Sequence, residues 1–527
     1  MQSSSDKGVV ALDDSFVDTS VLAMEPPVAP PGNSTEIGDK ARAGSVWIIG
    51  ASAAAKLLGF LCQFALAWFI SKKEFGIFAI AISLSVVLSI LRDGGLPMVL
   101  IEKGRRFNLF AGPVFWMMLA INTATGLVIL AVAIPAARFY GEPELAIVIA
   151  LFAATVPMCV PASLLGLRMT VDMRFRELAV VQVVSAVVRN TLLLVFAHAG
   201  YGARSLILPL LITNVSDGIF LWYFTRFSPW TMRPRFKLWR GLFRSGRWVF
   251  LGTFSIALGN NGPYLALGKI LPSEVVGTYF FAYQIVVQLG TLLSDNVYQV
   301  LFATFVRMRG DTARIRSAAT RSLQVVVWVG AAVSLAIAAV FRPLEQGLWH
   351  GKWAAATNAI QVLAFIWPAA AAASVLRALQ AAAGHFQEWG AVALVTAVAS
   401  VAGTVMGALL AHSATGAALG FGAGSLIGAV INARVTLLPL GIDAGATAHA
   451  VLRPWLAIAV AAVVAEALGH RELGALRDFA ITAGCFCVAA LTMSKLLAAE
   501  SLHLAAHSVG QIFSRKFALK PPVVTDT

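Results

Sequence analysis

The stretch KKEFGIFAIAISLSVVLSILRDGGLPMVLIEKG occupies residues 72–104 and decides the fold class. It contains an almost uninterrupted apolar run that is bounded by charge and ends at Arg92, Asp93 and a Gly-Gly-Leu-Pro sequence. A run of about 20 apolar residues can cross the hydrocarbon core of a bilayer. Because glycine and proline weaken a helix near its end, the stretch predicts a transmembrane helix with a polar exit.

The whole chain repeats this character. Its 527 residues are 58% hydrophobic and only 13% charged, whereas soluble domains average about 25% charged residues. We therefore predict an all-α polytopic membrane protein with about 14 transmembrane helices. The predicted spans, each about 20 residues long, are 45–70, 76–100, 111–135, 145–167, 178–198, 204–225, 248–270, 276–300, 323–341, 355–379, 389–411, 416–438, 451–468 and 477–498.

The domain organisation follows from these spans. We predict a disordered cytoplasmic tail at 1–44, a first six-helix lobe at 45–225, a basic cytoplasmic linker at 226–247 and a second six-helix lobe at 248–440. Two additional helices follow at 441–498, and a cytoplasmic tail follows at 499–527. The Pro-rich PPVAPPGNS at 26–34 is typical of a disordered segment rather than a cleaved signal peptide.

The distribution of the formal net charge of +14 indicates how the chain is oriented in the membrane. Lys and Arg concentrate in alternate connections, above all in RFSPWTMRPRFKLWRGLFRSGR at 226–247, which has no acidic residue. Positive charge marks the cytoplasmic side of a membrane protein and favours anionic lipid head groups. The charge pattern thus predicts a multi-pass membrane protein with both termini in the cytoplasm and with anionic lipids, not nucleic acid, as partners.

A weak internal repeat divides the helices into two sets. EFGIF at 74–78 opens the second predicted helix, and EVVGTYF at 274–280 opens the eighth. Continued alignment brings Asp93 to within one residue of Asp295. Since six helices separate the copies, both run in the same direction, which predicts two lobes related by a pseudo-two-fold axis along the membrane normal.

Residues 72–104 and their second copy, PSEVVGTYFFAYQIVVQLGTLLSDNVYQVLFATFVRMRGD, resemble the Wzx-type polysaccharide flippases of the MOP superfamily. The resemblance covers most of 45–440. It implies a two-lobed, 12-helix core with a central cavity and two extra helices. It also implies the turnover of undecaprenyl-pyrophosphate-linked oligosaccharides to the periplasmic leaflet, for exopolysaccharide, O-antigen or capsule. Such a protein is a transporter rather than an enzyme, and polysaccharide polymerase and export machinery are its implied partners.

Three alternatives stay open. A MATE-type cation-coupled drug exporter and a peptidoglycan-precursor flippase share the superfamily plan, although the first lobe has no obvious acidic cluster for cation coupling. A membrane polysaccharide polymerase or glycosyltransferase is expected to carry a large soluble loop, and no predicted connection here exceeds about 25 residues.

Ionisable and amide side chains inside the spans are the candidate cavity residues, because such groups are costly in a bilayer and usually functional. Asn260 and Asn261, beside Gly259, Gly262 and Pro263, predict an interruption of the seventh helix. Gln284, Gln288 and Asp295 recur at helical spacing and predict a polar stripe. The substrate or cavity candidates are Lys56, Gln63, Arg189, Asn190, Asn260, Asn261, Gln284 and Gln288; the gate candidates are Arg92, Asp93, Asp295 and Arg377; the ion-coupling candidates are Asp217 and Asp295.

Several common sites are missing from the sequence. It has no Gly-x4-Gly-Lys-Ser/Thr phosphate loop and no zinc-type spacing of His and Cys. Its four cysteines lie in apolar runs and are expected to act as small hydrophobic residues. We therefore predict no cofactor and no metal, with coupling to protons or sodium as an open alternative.

Overall fold

The computed structural model describes residues 34–90, 107–232, 247–469, 474–499, 501, 502 and 504. Within these residues the chain forms fourteen helices of 18 residues or more, which confirms the predicted all-α class. They are α1 (Ser34–Phe69), α2 (Lys72–Ser89), α3 (Phe107–Tyr140), α4 (Glu144–Val171), α5 (Phe175–His198), α6 (Leu208–Thr225), α7 (Arg247–Ile270), α8 (Ser273–Arg307), α9 (Thr312–Trp349), α10 (Ala354–Ala383), α11 (Phe386–Ala411), α12 (Ala414–Leu437), α13 (Ala444–Gly469) and α14 (Ala475–Leu497).

The observed helices match the predicted spans in order and, for most, within a few residues. The largest differences are that α1 begins at Ser34, so 34–44 of the predicted tail are helical, and that α9 extends the predicted 323–341 to Thr312–Trp349. The predicted exit of the second helix, with Arg92 and Asp93, lies outside the described residues. So do most of the linker and most of the C-terminal tail.

Eleven helical segments in the described parts of the chain are long and apolar enough to cross a membrane. The three long helices outside this set are α2, α7 and α8. These three pack on one another, because α2 contacts both α7 and α8. Most residues of 75–81 in α2 and 276–286 in α8 are buried against other helices, so these segments need a less apolar surface than helices that face lipid.

The helices pair in the same way in both halves. In the first lobe α1 packs on α5, α3 on α4, and α6 on both α4 and α5. In the second lobe α7 packs on α11, α9 on α10, and α12 on both α10 and α11. Helices α13 and α14 form a hairpin that packs on α9. The shared pattern of contacts supports the pseudo-two-fold relation predicted from the weak repeat.

The two copies of the repeat touch each other at their glycines. A methyl group on Gly76 would overlap the carbonyl of Ser273, and one on Gly277 would overlap the carbonyl of Lys72. The contact is therefore reciprocal, as a two-fold relation between α2 and α8 requires. The glycine of each copy allows close approach of the two helix backbones.

The glutamate that opens the first copy has a local role. Ser71 caps the start of α2, and its backbone N–H donates to Glu74 Oε2 at 2.7 Å. The Ser71 hydroxyl in turn accepts from the backbone N–H of Glu74 at 3.3 Å. This capping box satisfies two polar groups of the helix end and fixes where α2 starts.

One end of the bundle joins the lobes through polar contacts, and we call it the seam end. It contains the connections α1–α2, α3–α4, α7–α8 and α9–α10. Lys73 forms an ion pair with Glu142 at 3.1 Å, and the same carboxylate accepts from the Ser273 hydroxyl at 2.9 Å. Glu142 thereby ties the start of α2 to the start of α8. We call the opposite end, with the Lys- and Arg-rich connections, the basic end.

A second contact at the seam end closes the last turn of α1. Lys352, between α9 and α10, donates through Nζ to the carbonyls of Ala67, Trp68 and Ile70 at 2.9, 3.1 and 2.8 Å. The indole of Trp353 also donates to the Ala67 carbonyl, at 3.1 Å. A cation at a helix C-terminus satisfies carbonyls that have no partner within the helix. Burial lowers the pKa of Lys352, against the neighbouring charge of Glu74, which raises it.

Helix α7 corrects one sequence prediction. Residues 247–270 form a continuous helix that includes Asn260, Asn261 and Pro263, so the expected interruption is wrong. Gly259 and Gly262 lie against Ala397 and Val401 of α11. The glycines thus serve helix packing, which the sequence could not distinguish from a break. Helix α10 likewise continues through Pro368.

The tightest helix pair is α11 with α12. A methyl group on Gly403 would overlap the carbonyl of Gly420, and one on Gly420 would overlap the carbonyl of Gly403. Gly407 and Gly416 repeat the arrangement one turn away. Small residues at this spacing allow membrane helices to pack backbone to backbone.

Candidate functional site: two related cavities

A cavity of about 850 Å³ lies within the first lobe, and we call it the first-lobe cavity. Helices α1, α4, α5 and α6 supply its walls, with Gln288 of α8 completing them. Four residues predicted separately from the sequence meet here: Lys56, Arg189, Asp217 and Gln288. The structure thus brings both predicted membrane cations to one space.

Positive charge prevails among the described residues that line the first-lobe cavity. Its described lining holds Lys56 and Arg189 against a single carboxylate, Asp217. Arg189 is exposed in the cavity wall, and no described carboxylate lies within ion-pair distance of its guanidinium. Arginine presents a planar fork of N–H donors that matches phosphate oxygens. An arginine held this way in the wall favours an anionic ligand.

Among the described residues, only one of the two carboxylate oxygens of Asp217 has a hydrogen-bond partner. Its Oδ2 accepts from the Ser185 hydroxyl at 2.8 Å, whereas its buried Oδ1 has no hydrogen-bond partner within the described residues. Asn214, one turn before it, donates to the Thr155 carbonyl at 3.3 Å. A half-satisfied carboxylate is a position at which a proton or a cation can be held. Its place beside Arg189 fits the predicted coupling role but does not test it.

A cavity of about 380 Å³, the second-lobe cavity, lies between α7, α8, α10, α11 and α12. Two sequence candidates line it, Asn260 and Arg377. The Arg377 guanidinium stacks on the Tyr298 ring with 4.2 Å between its central carbon and the ring centroid. Arg377 was predicted as part of a gate, and the structure places it at the wall of this cavity, near the basic end.

The two cavities are built from equivalent positions. Every first-lobe lining residue on α4, α5 and α6 falls on a lining residue of α10, α11 or α12 when 211 is added to its number. By this rule Gly166 corresponds to Arg377, Arg189 to Ser400, and Asp217 to Gly428, each pair with both members in the lining. The same architecture therefore carries different charges in the two lobes.

The first-lobe cavity lies nearer the basic end, and the second-lobe cavity extends from the middle of the bundle toward that end. Helix α5 runs from the basic end to the seam end, and its lining residues fall at 178–189 of 175–198. Helix α10 runs the opposite way, and its lining residues fall at 363–377 of 354–383. The glycine contact and the Lys352 contact lie beyond them at the seam end.

Four predicted cavity residues line neither cavity: Gln63, Asn190, Asn261 and Gln284. Asn190 is buried and donates to the Ala186 carbonyl of its own helix at 2.7 Å, and Asn261 does the same to Ala257 at 3.0 Å. Short amides in helices often bond back to the preceding turn, which sequence alone does not reveal. The side chain of Asp295, like Arg92 and Asp93, lies outside the described residues.

The sequence analysis missed several lining residues. Ser185 and Gln182 face the first-lobe cavity, and Trp367, Trp389 and Asn432 face the second. A polar or aromatic residue within an apolar helix gives little signal by itself. None of these five residues is the counterpart, at the offset of 211, of a residue that the sequence analysis proposed, so the internal repeat would not have identified them either.

Two pseudo-symmetric helical lobes, each with a cavity, define a membrane transport fold. A family model described as polysaccharide biosynthesis protein matches residues 65–355, and the chain belongs to that family. This places it among the proteins that the resemblance of residues 72–104 indicated.

Two curated relatives give the sequence comparison. The chain is 26% identical over 303 residues to the succinoglycan biosynthesis transport protein ExoT of Rhizobium meliloti (strain 1021), covering 57% of this chain and 60% of ExoT. It is 21% identical over 340 residues to the lipopolysaccharide biosynthesis protein WzxC of Escherichia coli (strain K12), covering 62% of this chain and 67% of WzxC. The match to ExoT thus spans less than two thirds of that protein's length.

Solved structures support the fold. The lipid II flippase MurJ in an inward closed conformation superposes with a TM-score of 0.69 at 11% identity, covering 86% of this chain and 98% of that one. An inward-facing multidrug resistance MATE family transporter of the MOP superfamily gives a TM-score of 0.58 at 14% identity, covering 73% and 94%. At these identities the likeness establishes the shared two-lobed fold alone.

Proposed function

We propose that this protein moves undecaprenyl-diphosphate-linked oligosaccharides from the cytoplasmic to the periplasmic leaflet of a bacterial inner membrane, for the synthesis of an exopolysaccharide, O-antigen or capsule. The observation that carries the proposal is the first-lobe cavity, where the described lining has two cations, Lys56 and Arg189, and one carboxylate, Asp217. Family membership and the printed names of the relatives point to the same class of cargo.

The physical problem is to take a charged head group across hydrocarbon. A sugar-diphosphate cannot cross unaided, because its charges and hydroxyls would lose their hydrogen bonds to water. The first-lobe cavity offers space of about 850 Å³ and two cations in its wall. Diphosphate oxygens would bind Arg189 and Lys56 while the polyprenyl chain remains in lipid. No covalent bond is made or broken, so the proposal is a transporter, not an enzyme.

We assign the basic end to the cytoplasm, which puts both termini on that side. The first-lobe cavity then lies in the cytoplasmic half and the second-lobe cavity extends toward it, while the seam end faces the periplasm and is closed. Near the basic end the exposed ring of Tyr223 stacks with Arg226, at 4.7 Å, and Trp222 lies beside them. Such a cluster suits the interface with anionic lipids.

Transport requires the seam end to open and the basic end to close in turn. Arg92, Asp93 and Asp295 stay our candidates for a gate at the basic end. Asp217 is our candidate for coupling to a proton or sodium gradient, because its Oδ1 is without a described partner beside Arg189. Polysaccharide polymerase and export machinery remain proposed partners.

The test uses a strain from which the gene is deleted. Undecaprenyl-linked oligosaccharides are extracted and quantified, and the strain is complemented with the wild type, Arg189→Ala or the control Arg321→Ala. Arg321 is an exposed arginine of α9 that lines neither cavity. We expect complete repeat units to accumulate without the gene and to be cleared by the wild type and Arg321→Ala.

Arg189→Ala, at equal expression, should clear repeat units at least about tenfold more slowly, since a hydrogen bond to a charged group contributes about 1.5–3 kcal/mol. Normal surface polysaccharide and no build-up of repeat units in the deletion strain would refute the proposal. Build-up that Arg189→Ala clears at the wild-type rate would leave the flippase standing but reject its cationic cavity.

A further inference from the structure

The second-lobe cavity has the architecture of the first-lobe cavity but another chemistry. We propose that it holds the sugar residues of the lipid-linked substrate, while the first-lobe cavity holds the diphosphate. This assignment rests on the proposed function and goes beyond it, because it gives each lobe its own part of the substrate.

Charge separates the two cavities first. None of the described residues that line the second-lobe cavity is an aspartate or glutamate, and Arg377 is their only cation. The position of Arg189 is taken here by Ser400 and that of Asp217 by Gly428. The described lining offers no carboxylate to pair with a cationic drug, and its one arginine, near the mouth, suits at most one acidic group. The ligand that fits is neutral or carries a single negative charge.

Aromatic rings line the second-lobe cavity at several levels. Trp367, Trp389, Tyr283 and Phe421 all contribute to its wall. The Trp367 indole lies against the backbone of Gly290, where a larger residue would overlap the ring. Tyr283 and Phe421 pack edge to face at 5.5 Å. These contacts hold the rings in place, so their remaining faces are rigid apolar platforms of the kind on which the C–H face of a sugar can stack.

Two amides supply hydrogen-bond donors of fixed orientation. Asn260 Oδ1 accepts from the Tyr283 hydroxyl at 3.4 Å. Asn432 Oδ1 accepts from Gln380 Nε2 and from the Thr436 hydroxyl, both at 3.2 Å. Since the protein occupies the oxygen of each amide, the N–H groups are left for a ligand. Hydroxyl and ring oxygens of a sugar are acceptors, whereas a polyprenyl chain offers none.

The shape of the cavity suits a chain of sugars. Its lining on α10 extends from Leu363 to Arg377, which is about 21 Å along the helix axis. Tyr283 and Trp367 line the deeper part, while Arg377 and Trp389 stand closer to the basic end. An oligosaccharide can therefore lie along α10 with several rings in contact.

Helix α8 is the wall that the two cavities share. Gln288 faces the first-lobe cavity, and Tyr283, Val286 and Val287 face the second. The cavities are thus separated by about one helix diameter, roughly 10–12 Å. A diphosphate in one cavity and the sugars attached to it in the other is an arrangement that one substrate can adopt.

The experiment compares two lipids on the purified full-length chain in nanodiscs. One probe is undecaprenyl diphosphate, and the other is the undecaprenyl-linked repeat unit extracted from the deletion strain. Dissociation constants are measured for the wild type, Trp389→Ala, Trp389→Tyr, Asn260→Ala, Arg189→Ala and the control Val395→Ala. Val395 is exposed on α11, the helix of Trp389, and lines neither cavity.

We expect the wild type to bind the repeat unit about tenfold more tightly than undecaprenyl diphosphate, in keeping with one or two buried stacking and hydrogen-bonding contacts. Trp389→Ala and Asn260→Ala should remove most of this preference and leave undecaprenyl diphosphate binding as it was. Trp389→Tyr should retain most of it, and Val395→Ala all of it. Arg189→Ala should weaken both lipids by the same factor.

Three results would contradict the assignment. In the first, Trp389→Ala and Asn260→Ala both keep the tenfold preference. In the second, both variants weaken the binding of undecaprenyl diphosphate as much as that of the repeat unit, which would mean that the second-lobe cavity binds the polyprenyl chain or the diphosphate. The wild type could also bind both lipids equally. A wild type that binds neither lipid would instead reject the proposed function. Monodisperse elution of each variant shows that it is folded, and Asn260→Ala, at an exposed position, provides the test if Trp389→Ala does not fold.

Discussion

Replacement of Gly277 by alanine tests how the lobes meet. The new methyl group would overlap the carbonyl of Lys72, a backbone atom in the first turn of α2. A carbonyl held in a helix backbone cannot turn aside as a flexible side chain can. The strain is relieved only when α2 and α8 move apart, which opens the seam end.

The cost can be bounded from the geometry. Insertion of a methyl group into a closely packed contact costs about 1–3 kcal/mol, and the whole cost falls on the form that is closed at the seam end. That corresponds to a shift of about 5- to 150-fold in the equilibrium toward forms open at that end. Because the contact is reciprocal, Gly76→Ala should cause a shift of the same size. The double variant should shift less than the sum, because one separation relieves both overlaps.

The assay is pulsed electron paramagnetic resonance on spin labels at the seam end. Tyr201 of the first lobe and Leu410 of the second are 49% and 78% exposed and serve as label sites, after replacement of the native cysteines. We expect one short distance in the parent protein and a second, longer one in Gly277→Ala. The matched control is Gly484→Ala in α14, where no atom lies within 4 Å of the added methyl group.

Unchanged distances in Gly277→Ala, with the protein folded, would refute the reciprocal contact. A change in Gly277→Ala but none in Gly76→Ala would refute its two-fold character. A change in Gly484→Ala as large as that in Gly277→Ala would show that the labels report general loosening.

Three further predictions concern the seam end and the packing of the second lobe. Lys352→Met removes the ammonium that binds the three carbonyls at the end of α1. The population with the longer distance should rise about fivefold to thirtyfold, which corresponds to about 1–2 kcal/mol after a discount for the half-exposed side chain. An unchanged distance distribution would mean that water replaces the ammonium at no cost. The equilibrium should also depend on pH, because burial lowers the pKa of Lys352 in the closed form. The closed form therefore binds fewer protons than a form in which water reaches the amine, and a rise in pH toward about 10.4 should favour the short distance. Lys352→Met should abolish this pH dependence. Gly420→Val places a side chain against the Gly403 carbonyl and should lower the melting temperature of the purified protein by several degrees relative to Gly484→Ala, and equal melting temperatures would argue against close packing of α11 on α12.

The positions of the helices were predictable because a bilayer fixes the apolar length that a span needs. The sequence failed where a residue has two meanings. Gly259, Gly262 and Pro263 suggest a break by their backbone properties, yet α11 fills the space beside the glycines and α7 continues. Whether such residues break the helix or allow close packing depends on the neighbouring helix, and the local sequence does not show how closely that helix approaches.

The first-lobe cavity was predictable residue by residue but not as a set. Lys56, Arg189 and Asp217 stand out because charge is costly in a membrane, and the structure places all three in one wall. Asn190 stands next to Arg189 in sequence, but it points about 100° away around the helix and bonds to its own backbone. Most lining residues of the second-lobe cavity could not be identified from the sequence, since indoles and amides also occur in ordinary helix packing.

The offset of 211 between the two cavities also bears on how such a molecule diversifies. Duplication of an ancestral half leaves two copies of one cavity, and only one copy has to keep binding the part of the cargo that all substrates share. Every cargo of the proposed kind ends in the same diphosphate, whereas its sugars differ from one bacterium to the next. Under the assignments proposed above, the copy with Arg189 is the inherited constant, and the copy with Trp389 is free to drift with the bacterium's surface chemistry. Exchange of α10–α12 between related chains would then transfer sugar preference without disturbing the handling of the carrier lipid.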